Sequence, residues 1–129
     1  MKLLRQENGQ AMVELAFAVT VMVILLSGIV EFGRIFSTYF IMNHAAREGV
    51  RVAVVTGNNT MVESKIKEIM ASIARDPANY TIDITTSNSP TGVLVWTVNI
   101  TYDLPLIMPF FTPLLGNPYR LNASCSMDQ

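Results

Sequence analysis

At 129 residues the chain has room for one membrane helix and one small globular unit, not for a multidomain enzyme. A net charge of −1, from 9 basic and 10 acidic residues, gives no electrostatic case for nucleic acid or an anionic surface as a partner. The single cysteine, Cys125, excludes an intrachain disulfide framework.

In chain order, Met1 to Asn8 is a short polar leader with Lys2 and Arg5 set against Glu7. The run Ala11 to Val30, AMVELAFAVTVMVILLSGIV, follows with Glu14 as its only charge. At about 1.5 Å per residue such a run covers roughly the 30 Å hydrocarbon core of a bilayer. A cleaved secretory signal is the main rival, since the leader is basic. That rival calls for an apolar stretch of about 7–15 residues closed by a small-x-small site, and no such site stands before Glu31. A buried helix of a soluble domain is a weaker account of so uniform a run. Basic residues flanking a span favour the cytoplasm, so the N-terminus is expected inside and the remainder translocated, although Arg34 on the far flank weakens the bias.

Glu14 is the exception within the run. An ionised carboxylate in a membrane helix costs a few kcal/mol, about 2.5 to 3.5 on the lenient scales. One account is that it reaches back to the headgroup layer. The other begins at Gly9: if the bond after it is cut, Gln10 becomes the N-terminus. Its new amine then stands one helical turn from Glu14, or meets a neighbouring subunit's Glu14. In low dielectric that pairing offsets much of the burial cost of both charges.

Beyond Val30 the helix is expected to continue to about Val55, starting from about Gln10. Phe32, Ile35, Phe36, Tyr39, Met42, Ala46, Val50 and Ala53 recur at helical spacing as an apolar face. Glu31, Arg34, Thr38, Asn43, Arg47, Glu48 and Arg51 fall between them. Thr56-Gly57-Asn58-Asn59 reads as stop and turn. Gly28, Gly33 and Gly49 lie inside this helix, either as tolerated small residues or as places of close approach. Thr60 and Glu63 fit a capping box for a second helix, whose apolar face is Val62, Ile66, Ile69, Met70 and Ile73 and which Asp76-Pro77 ends.

From Tyr80 the period becomes two. Tyr80, Ile82 and Ile84 alternate with Thr81, Asp83 and Thr85. After a Ser/Asn/Pro/Gly turn, Leu94, Trp96, Val98, Ile100, Tyr102 and Leu104 share one face of a strand beginning at Val93. Pro105, Pro109, Pro113 and Pro118 make the next stretch a long connection carrying Phe110 and Phe111. Tyr119 to Met127 closes a third strand, with Cys125 on its inner face. The fold class is α+β: a long N-terminal helix with a membrane half and an amphipathic half, one short helix, and a small three-stranded antiparallel sheet packed on the long helix. The organisation is leader 1–9, transmembrane helix 10–30 and domain 31–129.

His44 is the only histidine and has no second ligand type nearby; no cysteine cluster, P-loop, G-x-G-x-x-G or G-x-S-x-G is present. No catalytic residues, metal ligands or cofactor are expected, and the chain does not read as an enzyme. Asp83 and Asp103, on polar strand faces, read as solubility residues.

Three motifs then stand in order on one helix: GQAMVE at Gly9 to Glu14, GIVEFGR at Gly28 to Arg34, and AAREGVR at Ala45 to Arg51. Over roughly its first 50 residues the chain resembles the TadE-like pseudopilins of the tight-adherence (Flp pilus) system, whose N-termini are type IV pilin-like. The resemblance implies insertion in the bacterial inner membrane with the C-terminal domain periplasmic, and cleavage by a prepilin peptidase between Gly9 and Gln10. It further implies a role for Glu14 in assembly, and a part in building or exporting adhesive pili. The partners it implies are the peptidase, other pilin-like subunits, the inner-membrane pilus assembly platform and membrane lipid. Glu31, Phe32, Gly33, Arg34, Ala46, Arg47, Gly49 and Arg51 are the motif residues it singles out. Two alternatives remain open at this stage. One is an uncleaved single-pass anchor whose domain binds a periplasmic partner, the other a secreted binding domain freed of a signal.

Overall fold

The computed structural model describes residues 3–74 and 76–129, with side chains from Gly9 onward except at Arg75. The leader's Lys2 and the side chains of Arg5 and Glu7, on which the expected orientation rests, lie outside the described residues.

One helix, α1 (Leu3–Thr56), runs for 54 residues, about 80 Å. It begins earlier than the sequence suggests, because Leu3, Leu4, Arg5, Gln6 and Glu7 are all good helix formers and nothing before Gly9 stops a turn. Gly57, at φ 61, ends it. A second helix, α2 (Asn59–Met70), lies along the outer part of α1. Its cap is Asn58, not a Thr60–Glu63 box: Asn58 Oδ1 accepts from the Thr60 amide at 3.0 Å and from the Thr60 hydroxyl at 2.6 Å. Glu63 is drawn instead to Lys67, one turn on, at 3.2 Å. The helix also stops short of Asp76-Pro77. Ile73 falls in the turns that follow, and Asp76 caps a separate 3-10 turn, Pro77–Asn79.

The three strands β1 (Tyr80–Asn88), β2 (Leu94–Leu104) and β3 (Tyr119–Asp128) form an antiparallel meander in the order β1-β2-β3. Register places Ile82 opposite Ile100 and Ile100 opposite Ala123, with Tyr102 flanked by Tyr80 and Leu121. One continuous apolar face results, as the alternation requires. That face closes on α1, which packs against β2 and β3. Trp96, Val98, Ile100, Tyr102, Leu104, Leu121 and Ala123 are buried there with Met42, Ala45, Ala46, Val50 and Ala53 of α1 and Val62, Ile66 and Met70 of α2. Cys125 packs half-buried at the margin of this core.

Two expectations for α1 are reversed. Glu31 and Thr38, read as polar-face residues, are buried at 2% and 6% exposure, whereas Phe32, Phe36 and Tyr39 stand 47%, 59% and 42% exposed. The packed stripe is Glu31, Thr38, Met42, Ala45, Gly49 and Ala53, rotated away from the phenylalanines. Between Glu31 and Tyr39 only the side of the helix that carries Glu31, Ile35 and Thr38 is covered, so the apolar residues on its other side do not report the domain core. The proline-rich connection also contains a single helical turn, α3 (Thr112–Leu115), opened by Pro113 near its start, where a missing amide costs nothing.

Candidate functional site

Three places on α1 gather the motif residues, and they differ in what surrounds them. The first is the N-terminal junction. Gly9, Gln10 and Glu14 are all exposed on an unbroken stretch of α1, and a Cβ on Gly9 would meet nothing within 4 Å. From Met12 to Val30 the large apolar side chains are exposed. The hydroxyls of this run are satisfied internally: Thr20 donates to the Ala16 carbonyl and Ser27 to that of Val23, each at 2.8 Å. Such self-pairing is what a helix without water around it requires. Glu14 has no ion-pair partner among the described residues.

The second place is where α1 leaves the apolar run. Glu31 Oε1 accepts from Arg34 Nη1 at 2.9 Å and from the Ile107 amide at 3.3 Å. Arg34 Nη2 also donates to the Pro105 carbonyl at 3.4 Å. One carboxylate and one guanidinium at i and i+3 therefore hold the start of the β2–β3 connection against the helix. Charge-assisted bonds of this kind are about twice as strong as neutral ones. Glu31 Oε2 is buried with no hydrogen-bond partner among the described residues, a desolvation cost that the contacts of Oε1 must offset. Just below, Phe111 lies edge-on to Phe32, ring centroids 6.2 Å apart. Its Cζ comes within 3.2 Å of where a Cβ on Gly28 would stand. Gly28 is thus a site of close approach, while Gly33 faces open space.

The third place is the AAREGVR stretch. Ala46 and Gly49 are buried, and a Cβ on Gly49 would stand 2.7 Å from Ile66 Cδ1 and 2.9 Å from its Cγ1. Gly49 is the seat that lets α2 lie down on α1. Arg47 is exposed. Arg51 places both Nε and Nη2 on Glu48 Oε2, at 3.1 and 2.9 Å, and this guanidinium holds the Glu48 carboxyl below its ordinary pKa. Motif residues thus divide into a junction, a clasp and a seat; Arg47 and Gly33 join none of them.

The sequence pointed to Glu31 and Arg34 but not to their partners. Pro105, Ile107 and Phe111 are more than 70 residues away in the chain, and only the aromatic pair in an uncharged, proline-rich stretch hinted that it has something to cover. Asp103, expected to serve solubility alone, pairs with Arg120 of the neighbouring strand at 2.9 Å. His44 is exposed on α1 beside Tyr39, Phe40, Asn43 and Arg47, and no group of three potential metal ligands occurs among the described residues.

A helix long and apolar enough to cross a bilayer, carrying a small α+β domain clasped to its outer half, fits a single-pass membrane protein. The family model described as TadE-like protein matches residues 9–51, from Gly9 of the junction to Arg51 beside the seat, so the chain carries a TadE-like segment over that stretch of α1. The sheet and its connections lie beyond the match. No curated protein and no solved structure matches the chain.

Proposed function

We infer that the chain is a pilin-like component of a tight-adherence pilus system. In this reading it is held in the inner membrane by residues 10–30 with the domain 31–129 periplasmic, and it acts by assembly, not catalysis. A prepilin peptidase removes residues 1–9, and the new amine of Gln10 engages Glu14 of a neighbouring pilin-like subunit at the membrane assembly platform. The observation that carries this reading is the TadE-like match over α1, beginning at the Gly9–Glu14 junction. Two features of the junction support it. Gly9 costs a helix about 1 kcal/mol relative to alanine, so the backbone opens most readily at the proposed cut. Glu14 is the one charge in an otherwise apolar run, which gives it a strong drive to find a cation.

The test is the mass of the mature N-terminus in cells with and without the peptidase, for the native chain and for Gly9→Leu. A native chain beginning at Gln10 only when the peptidase is present, and a substituted chain left uncut, is the expected result. Because the space around Gly9 is open, loss of cutting cannot be ascribed to a disrupted fold. A native chain left whole in peptidase-positive cells makes α1 a plain anchor and overturns the processing step; a chain cut beyond Val30 makes it a secreted domain.

A further inference from the structure

The β2–β3 connection is out of keeping with a loop in water. From Leu104 to Pro118 it carries no charged residue. Ile107, Phe110 and Leu114 are 64%, 69% and 78% exposed. Its position along α1 is fixed by contacts at three heights: Pro105 at Arg34, Ile107 at Glu31, and Phe111 at Gly28. The connection therefore descends along the helix, and its lowest part reaches a residue inside the apolar run that ends at Val30. Whatever medium surrounds Gly28 and Ile29 also reaches Phe111, with Phe110 and Leu114 exposed beside it in the chain.

The backbone fits that medium as well. Pro105, Pro109, Pro113 and Pro118 have no amide to satisfy. The amides of Leu106 and Ile107 bond to Asn117 Oδ1 and Glu31, and those of Phe111, Leu114, Leu115 and Gly116 to carbonyls within the connection, at 2.9–3.2 Å for these four. The Thr112 hydroxyl bonds back to the Pro109 carbonyl at 2.7 Å. Six of the ten amides in residues 105–118 are thus bonded, and those of Met108, Phe110, Thr112 and Asn117 are left for the water and headgroups of an interfacial layer, the outermost depth that irregular chain can enter.

We propose that residues 105–118 form a second membrane contact, a foot whose Ile107, Phe110 and Leu114 side chains sit in the lipid interfacial layer beside the exit point of α1. The occupant is the bilayer that already surrounds the span, because Phe111 of the connection lines one open apolar groove with Ile24, Leu25, Ile29 and Phe32 of the helix, and Phe110 beside it is exposed. The proposal rests on reading residues 11–30 as a membrane span. The foot also keeps lipid off the Glu31–Arg34 clasp.

The test uses the full chain with Cys125→Ser, reconstituted in phosphatidylcholine/phosphatidylglycerol vesicles. Single cysteines replace Val21, Thr91, Phe110 or Leu114 and carry an environment-sensitive fluorophore. Nitroxide-labelled lipids report contact with the bilayer, and iodide reports contact with water. Probes at 110 and 114 should lose most of their emission to a nitroxide placed near the headgroups. The probe at 21 should respond most to one placed deep in the chains. The probe at 91, in the turn at the far end of the sheet, should respond to iodide alone. Probes at 110 and 114 open to iodide and untouched by lipid nitroxides overturn the foot. Protection from both quenchers also overturns it, since a second copy or another protein then covers the surface. A probe at 21 that no lipid nitroxide reaches overturns the span, and the foot with it. Phe110→Trp in the otherwise native chain guards against misfolding of the labelled variants: brominated lipids should quench the added emission, while buried Trp96 serves as internal reference. Equal quenching of the variant and native chains overturns the proposal.

Discussion

From Met12 to Val30 the apolar side chains of α1 are bulky, and Leu15, Phe17, Ile24, Leu25 and Ile29 stand 42–72% exposed. From Met42 to Ala53 the packed positions are mostly small: Ala45, Ala46, Gly49, Val50 and Ala53. The same helix is fitted to two surroundings. On the proposed membrane reading, fluid lipid fills around any shape, so the lower half is free to be large. The upper half meets a sheet and a second helix at close range, where interiors pack at crystal-like density and each methyl group is felt. The Glu31–Arg34 clasp stands at the junction between these regimes. Polarity separates the halves, since Glu14 is the only charge from Ala11 to Val30, and the size of the residues facing neighbours separates them as well.

The largest expected effect of a single substitution falls in the lower half and leaves the fold alone. Glu14→Val removes the burial cost of a charge, so insertion should be unharmed and cleavage after Gly9 should persist. The chain should then accumulate as processed but unassembled protein, read by co-purification with other pilin-like subunits and by piliation. Normal yield of both would remove Glu14 from assembly and make the lower half a lipid-fitted rod and nothing more.

At the junction, Glu31→Ala should destabilise the domain by about 2–3 kcal/mol, the low side of the cost of breaking a buried pair because Arg34 is about one-third exposed. Glu31→Gln keeps an acceptor for the Ile107 amide and should lose only about 1 kcal/mol. Denaturant unfolding in micelles measures both, and hydrogen exchange at Ile107 should accelerate in the alanine variant before the strand amides do. Equal behaviour of the two variants would show that the charge, not the hydrogen bond to the connection, is what matters.

In the upper half, Gly49→Leu should cost about 1–3 kcal/mol by overpacking against Ile66, read as a lowered unfolding midpoint with early exposure of α2. Gly33→Ala, in open space lower on the same helix, should gain up to about 1 kcal/mol of helix propensity. If both glycines behave alike, the size rule that separates the halves is wrong.

The smallest effect belongs to the sheet surface. The Arg120 guanidinium beside Asp103 holds its carboxyl below the ordinary value of 3.8. A depressed folded pKa means that the unfolded chain binds the proton more readily. The contribution is therefore whole above the ordinary carboxylate range and is lost as pH falls through the depressed value. Both groups are exposed, so Asp103→Asn should flatten the acid limb of the stability profile only slightly, and the difference should vanish at high salt.

How much of this was legible beforehand followed the range of the interactions. Period two gave β2, β3 and the start of β1 within a residue or so, because alternation is a local property; β1 runs on through Ser87 and Asn88, which read as turn but pair with Val95 and Leu94. The run from Ala11 to Val30 was equally plain. Helix ends were less so: Asn58 and Thr60 are both good caps two residues apart, and only the backbone geometry chooses between them. The buried face of α1 was misjudged between Glu31 and Tyr39, since an apolar stripe looks the same whether lipid or protein covers it. The clasp depends on a contact closing a loop of 76 residues between Glu31 and Ile107, which no local pattern carries.

The unbroken course of α1 through the exit point has a mechanical consequence. No break in the helix separates residues 10–30 from the domain, so on the proposed membrane reading the two turn as one shaft. Membrane helices commonly lean by about 20° from the bilayer normal. A rod reaching from the middle of the apolar run to Thr56, about 54 Å, would swing its tip sideways by roughly 18 Å at that lean. A thinner or thicker bilayer, by changing the lean, would re-aim the sheet toward its neighbours without altering a single contact inside the domain.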